Sequence, residues 1–96
     1  MKNNLLSALA LIAPCLLSAT GARAAACDWA TAKADIVLVL DGDKAKSESF
    51  HALTAKGRDP LTAVESLVDE AARGRIRDCA YESADYLTQR GYPPFH

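Results

Sequence analysis

The densest group of side chains able to do chemistry is the acidic turn Asp41-Gly42-Asp43, since paired carboxylates bind divalent cations or assist phosphoryl transfer. A calcium-binding EF-hand loop also needs oxygen ligands and a glycine at fixed offsets. Here Ala45 stands at the third ligand position and Lys46 at the glycine position. The phosphoryl-transfer sites of larger α/β proteins require a parallel sheet, which this chain is not patterned to build. The sequence therefore predicts a solvated turn at the end of a helix, without a metal or a cofactor.

Nucleophilic catalysis requires a serine or cysteine beside a base that a third group orients. His51 is the one histidine inside the predicted domain, and His96 is terminal; neither has an acidic or thiol neighbour that would make a metal site. No serine forms the G-x-S-x-G turn of hydrolases. The serines of the domain fall on predicted helix surfaces: Ser47, Ser49, Ser66 and Ser83. We therefore predict no catalytic residue and a protein that is not an enzyme.

The cysteines predict a disulfide. Cys15 lies within an apparent leader, which leaves Cys27 and Cys79 as an even pair in an oxidising compartment. Joining them closes a loop of about 50 residues, for which chain entropy gives roughly 4 kcal/mol of stabilisation. Because domains of this size rarely obtain more than about 3–5 kcal/mol from their core, that bond is a large share of the stability.

An alternative use of Cys27 is lipidation. The preceding Ala24-Ala25-Ala26 resembles the end of a bacterial lipoprotein signal, although Ala24 stands where such signals prefer a large aliphatic residue. Acylated Cys27 would anchor the chain to a membrane as an envelope structural protein and leave Cys79 free. A membrane partner is expected only in that case.

Two groups of side chains are predicted to bind a partner protein. The first is the basic cluster Arg73, Arg75 and Arg77, which would grip an anionic group if a break in the helix let the charges converge. Pairing with nearby carboxylates of the same molecule is the alternative. The second group is aromatic: Tyr81, opposite the apolar helix face, with Tyr92 and Phe95 of the tail. The tail is expected to be extended; the alternative to its binding a partner is that it covers a core left open by short helices.

The element that positions these side chains is the stretch from Asp59 to Gly91. Asp59 is a good N-cap, Pro60 suits the first helical position, and apolar residues then recur at steps of three and four. These are Leu61, Val64, Leu67, Val68, Ala71, Ala72, Ile76, Cys79, Ser83 and Leu87. Gly74 permits a continuous helix, but we predict a break there because two shorter helices pack more readily.

Two further helices precede this stretch. Asp28 is a candidate cap for a helix that Gly42 would end in a left-handed conformation, although residues 36–40 also resemble a buried strand. A strand would lack a partner, so a helix is preferred. Residues 43–57 predict a second, weaker helix that ends at Gly57. The fold class is therefore all-α: a small domain of three to four helices stapled by one disulfide.

The first 26 residues predict a secretory signal peptide. Lys2 precedes an apolar run of roughly 13 residues, too short to span a bilayer, and small residues before Cys27 offer a cleavage site. Residues 27–96 would then form the domain, with an extended C-terminal tail. We expect a periplasmic or secreted protein.

Charge and size limit the function. Loss of Lys2 and Arg23 with the leader leaves nine basic residues against twelve acidic ones, a net charge of −3. That balance offers no basic face for nucleic acid. The expected function is protein binding, for which inhibitors and immunity-type proteins are examples. An acid or envelope stress chaperone and a lipid-anchored structural protein are the alternatives, and the sequence predicts no oligomeric state.

Overall fold

The fold is all-α, as predicted. The computed structural model describes residues 26–95, so almost all of the predicted signal peptide, residues 1–26, lies outside the described residues. Within them the helices are α1 (Trp29–Val37), a π-helical turn (Leu38–Gly42), α2 (Lys44–Ala55), α3 (Pro60–Ser66), α4 (Glu70–Asp78) and α5 (Ala80–Gln89). No strand occurs between residues 26 and 95, and the segment 36–40 is helical.

Aspartate caps begin the first four helices. In each, an aspartate accepts a hydrogen bond from the backbone N–H three residues later, at 3.3, 3.0, 2.9 and 2.9 Å for Asp28, Asp43, Asp59 and Asp69. Such caps satisfy N–H groups that have no partner inside the helix. Asp43 of the acidic turn is therefore used to start α2.

The stretch after Asp59 divides into α3, α4 and α5, and the predicted break at Gly74 is wrong. Gly74 lies inside α4, while the interruptions fall at residues 67–69 and at Cys79. The physical reason is that Asp69 offers the backbone a cap for a new helix, whereas Gly74 offers no competing hydrogen bond and costs only about 1 kcal/mol in a helix.

Replacing Gly74 with alanine should raise the free energy of unfolding by about 0.5–1 kcal/mol, because alanine loses less backbone entropy on folding. An added Cβ at Gly74 would meet no atom within 4 Å. Urea unfolding measures the change. Gly57→Ala is the matched control and should destabilise the protein, since Gly57 has a φ of 94°. A loss of stability in Gly74→Ala would contradict this account of α4.

Gly42 does not adopt the left-handed backbone conformation that the sequence predicted for it at the end of a helix. It has no positive φ; it closes the π-helical turn, where the Asp43 N–H donates to the Leu38 carbonyl at 2.9 Å. A Cβ at Gly42 would lie 2.9 Å from Cδ1 of Leu38, so glycine gives that side chain room. The left-handed glycines are Gly57, at the predicted end of α2, and Gly91, after α5.

The core draws on every helix. Its fully or almost fully buried members are Ile36, Val39, Leu40, Phe50, Ala63, Val64, Ile76 and Leu87. The buried Ser83 hydroxyl donates to the Ile76 carbonyl at 3.4 Å, so its polar atom is satisfied. The predicted disulfide is present: Cys27, before α1, is bonded to Cys79, between α4 and α5, with their Cα atoms 4.9 Å apart.

The C-terminal tail folds back over α2 and α3. The Tyr92 ring packs edge-on against Phe50 with centroids 5.0 Å apart, and Pro94 is buried. The backbone N–H of Phe95 donates to Asp59, the residue that also caps α3. The tail thus lies against the core, and Asp59 fastens it to the start of α3.

Asp59 should make stability depend on pH in the acid range. Partial burial raises the pKa of its carboxyl, but hydrogen bonds from the Phe95 and Thr62 N–H groups and the Thr62 hydroxyl outweigh it and lower the pKa below its usual 3.8. Because the pKa of Asp59 is lower in the folded state than in the unfolded state, its ionised carboxylate stabilises the fold. That stabilisation is complete above the unfolded-state pKa and is lost as pH falls through the folded-state pKa.

Asp59→Asn keeps a capping side chain but cannot ionise. Between about pH 5 and pH 2 we therefore expect the free energy of unfolding to fall less in this variant than in the unmodified protein. Urea unfolding across that range makes the comparison. Parallel pH profiles would contradict a stabilising role of the ionised Asp59 carboxylate in the α3 cap and the tail contact together.

Candidate protein-binding surface

Arg73 holds the turn between α3 and α4. Its guanidinium donates to the Glu65 carbonyl and the Val68 carbonyl, both at 3.1 Å, and to the Glu70 carboxylate at 2.8 Å. An arginine close to the C-terminus of a helix, here α3, interacts favourably with the helix dipole and donates to carbonyls that have no partner inside the helix. This side chain is committed to the connection between two helices.

Arg75 joins α4 to α1. Its Nε and Nη2 donate to the two carboxylate oxygens of Asp35 at 2.8 and 3.2 Å. Hydrogen bonding to Asp35 raises the pKa of Arg75. Arg77 is less engaged, since it lies 3.6 Å from the Glu65 carboxylate and its side chain is 63% exposed. All three arginines thus have an acidic partner in the same molecule, in line with the internal pairing that the sequence left open.

Tyr92 and Phe95, the predicted binding residues of the tail, differ in exposure. The Tyr92 ring packs on Phe50 and lies 6.0 Å from His51, centroid to centroid. Phe95 is 62% exposed and borders a shallow recess with Leu53 and Arg58. Of the two, Phe95 offers the accessible aromatic surface.

Tyr81 is the most exposed large aromatic residue of the described chain, at 84%. It borders a cleft of about 230 Å³ between α1 and α5. The lining residues are Trp29 and Lys33 from α1, and Tyr81, Glu82, Asp85, Tyr86 and Gln89 from α5. Trp29 and Lys33 lie four residues apart, and the α5 residues fall at 81–82, 85–86 and 89, so each helix presents one side to the cleft.

The two walls of this Tyr81 cleft are fastened at both ends. At one end the Cys27–Cys79 disulfide joins the residues just before α1 and α5. At the other end Arg90, after α5, contacts Asp41 at 3.0 Å and donates to the Tyr86 hydroxyl at 2.9 Å. The hydrogen bond to Asp41, and to a smaller extent the one to Tyr86, raises the pKa of Arg90. The disulfide therefore fixes the spacing of the two helices at one end of the cleft, and a partly exposed ion pair adds a weaker contact at the other end.

The interior of the cleft is aromatic and its rim is charged. Trp29 packs edge-on against Tyr86 with centroids 5.9 Å apart, and the Lys33 ammonium lies 5.3 Å from the Tyr86 centroid. Tyr81 pairs with no other aromatic ring between residues 26 and 95. Among those residues no Lys, Arg or His forms an ion pair with Glu82.

This chemistry suits the recognition of a polypeptide side chain. The aromatic rings supply apolar area, while carboxylates, an ammonium and an amide supply hydrogen bonds at the edges. The lining contains no serine, cysteine or histidine that would form a nucleophile and base pair.

Sequence reasoning found Tyr81 but missed the cleft. No motif in the sequence marks Trp29, Lys33, Glu82 or Asp85 as members of a site. The one available signal was the cysteine pair: a bond between Cys27 and Cys79 implies that the helices following them start side by side. The i, i+4 pattern of Tyr81, Asp85 and Gln89 then places polar side chains along the facing side.

One group of ligand-type atoms lies beside the cleft. The Sγ atoms of Cys27 and Cys79 and a carboxylate oxygen of Glu82 are within 4.8 Å of one another. Since the sulfurs are bonded to each other, they do not present the thiolates that coordinate zinc. Between residues 26 and 95 no helix combines the length and apolarity of a membrane span.

Comparison with known proteins adds no further clue: no family model matches the chain, and no curated protein or solved structure is significantly similar to it. Function has therefore to be inferred from the chemistry of the surface itself.

Proposed function

We propose that this chain is a small exported protein that acts by binding another protein through the Tyr81 cleft. The observation that carries the proposal is Tyr81 itself, a large aromatic side chain that is 84% exposed on a helix fastened at both ends. Soluble domains more often bury such a ring, and an aromatic residue exposed beside a cleft is a common anchor for a partner.

Rigidity supports the proposal. A tyrosine has few rotatable bonds and presents a large area, so it contributes much to an interface for little entropy cost. The disulfide and the Arg90–Asp41 contact hold the backbone beneath the ring, so binding does not have to order α5. Inhibitors and immunity-type proteins, which work by occupying a partner's surface, fit this description.

Export to an oxidising compartment is consistent with the proposal. The disulfide is compatible with the oxidising periplasm or extracellular medium, to which the predicted signal peptide would direct the chain. The Cys27 sulfur that lipidation would require is bonded to Cys79. We therefore propose a soluble exported form in preference to a lipid-anchored one.

Photo-crosslinking in the native host tests the proposal. A photoreactive phenylalanine analogue replaces Tyr81 in one strain and Glu48, which is exposed on α2, in a control strain. We expect a discrete crosslinked adduct from position 81, identified by mass spectrometry, and none of that mass from position 48. Equal adducts from both positions, or none from position 81, would overturn the proposed surface.

A further inference from the structure

The lining of the Tyr81 cleft has an excess of negative charge. Glu82 and Asp85 are acidic and Lys33 is basic, so the charged side chains of the lining sum to −1. Both acidic residues are exposed, and neither takes part in an ion pair between residues 26 and 95. The cleft therefore presents two carboxylates whose charge the described part of the molecule does not neutralise.

Glu82 and Asp85 are neighbours on one side of α5, since side chains three residues apart lie close together on a helix surface. Glu82 belongs to the first turn, where the helix dipole favours its ionised form. Its carboxylate oxygen is within 4.8 Å of both disulfide sulfurs, which places it at the disulfide end of the cleft. Asp85 accepts one hydrogen bond, from the Gln89 amide at 2.9 Å. Like charges at this spacing repel each other, so a cation that contacts both would be stabilised.

The Tyr86 ring shows how this cleft accommodates cations. The Lys33 ammonium lies 5.3 Å from the ring centroid, and the Arg90 guanidinium lies 5.7 Å from it. A cation over the face of an aromatic ring is attracted at such distances. Tyr81 is 84% exposed, and no Lys or Arg side chain of residues 26–95 lies over its ring. One tyrosine of the cleft is thus occupied by internal cations, and the other is accessible to a cation from outside.

We infer that the Tyr81 cleft receives an arginine side chain of the partner, an inference that rests on the proposed function. A guanidinium is planar, so it stacks on the Tyr81 ring, and its five N–H donors allow it to contact Glu82 and Asp85 together. The cation–π contact and the charge-assisted hydrogen bonds then act on one group. A lysine ammonium is a compact, strongly hydrated point charge without a flat face, so it fits this combination less well.

The charge of the whole domain favours the same partner. Residues 27–96 contain nine basic and twelve acidic residues, a net charge of −3. A negatively charged protein attracts a basic surface before contact, which raises the association rate at low salt. We therefore expect the arginine to lie within a basic region of the partner's surface.

Nuclear magnetic resonance titration of the purified exported protein with three short peptides tests the inference. The peptides share Gly-Ser flanks and differ at one central residue, which is arginine, lysine or citrulline, an uncharged analogue with nearly the shape of arginine. The arginine peptide should shift the backbone amide signals of Tyr81, Glu82 and Asp85, with a dissociation constant on the order of 10 mM. The lysine peptide should bind more weakly, and the citrulline peptide should leave these signals unchanged.

Substitutions in the cleft make the test specific to its charges and its ring. Glu82→Gln and Asp85→Asn keep the size of each side chain and remove its charge, so each should raise the dissociation constant of the arginine peptide at least about threefold. Tyr81→Leu, which removes the ring, should have an effect of similar size. Glu48→Gln, at an exposed position of α2, is the matched control and should leave the affinity unchanged. Circular dichroism confirms that the variants fold.

The inference and the proposed function fail in different ways. Absence of shifts in α5 with the arginine peptide, or equal shifts with the citrulline peptide, would overturn the inference. Tighter binding of the lysine peptide, or full affinity of both Glu82→Gln and Asp85→Asn, would also overturn it. In each of these cases a crosslinked partner at position 81 would leave the proposed function standing, whereas the absence of that adduct would remove the function itself.

Discussion

Replacing both Cys27 and Cys79 with alanine should lower the free energy of unfolding by about 4 kcal/mol. The bond links residues 52 positions apart, so it removes many conformations from the unfolded chain. In a domain of about 70 residues that loss corresponds to a fall in Tm of about 20 °C. Thermal and urea unfolding, followed by circular dichroism, measure the change.

The unmodified protein with and without a thiol reductant is the control for this double variant, because it separates loss of the bond from loss of the buried Cys79 side chain. Reduction and substitution should cost similar amounts. A double variant that melts within a few degrees of the oxidised protein would mean that the helical core alone supplies the stability.

Phe50→Ala should cost about 3–5 kcal/mol, the usual range for removing a buried phenylalanine ring. Phe50 is fully buried on α2, and Tyr92 of the tail packs against its ring. The substitution therefore leaves a cavity in the core and also removes the surface on which the tail lies. Urea unfolding gives the stability, and the rate of carboxypeptidase digestion reports release of the tail.

Phe95→Ala is the matched control, because it makes the same chemical change at a side chain that is 62% exposed. It should alter the free energy of unfolding by no more than about 0.5 kcal/mol. Equal losses in the two variants would contradict the assignment of Phe50 to the core. An unchanged digestion rate in Phe50→Ala would show that the tail is held by Asp59 rather than by Tyr92.

The sequence was sufficient for those features of the fold that local chemistry decides. The starts of α1, α2 and α3 could be predicted because Asp28, Asp43 and Asp59 bond to N–H groups three residues away, independently of the rest of the chain. The disulfide was predicted from the even cysteine pair and from the compartment that the predicted signal peptide implies. In the stretch after Asp59 the helical period also identified six buried residues: Val64, Ala72, Ile76, Cys79, Ser83 and Leu87.

Two interruptions of the helices were not predicted. The stretch after Asp59 was expected to break at Gly74, but Asp69 caps a new helix through the N–H three residues later, and the Arg73 guanidinium closes the turn before it. The π-helical turn at Leu38 likewise has no sequence signature, because both a regular helix and a strand fit the same run of apolar residues.

The candidate site shows the same division. Tyr81 was identified because it falls opposite the apolar face of its helix. The arginines were harder, since the partner of Arg75 is Asp35, forty residues away, rather than a neighbouring carboxylate. Trp29 and Lys33 join the site only because the disulfide brings α1 beside α5, a contact that helical periodicity does not encode.

The most direct test of a binding function is the affinity of the crosslinked partner for purified variants of this chain. Tyr81→Ala should weaken the complex at least about 30-fold, which corresponds to the 2 kcal/mol of a hot-spot residue. Tyr81→Phe, which keeps the ring, should retain most of the affinity, and Glu48→Ala should not change it. Equal affinity of Tyr81→Ala and the unmodified protein would contradict the claim that this protein binds through the Tyr81 cleft.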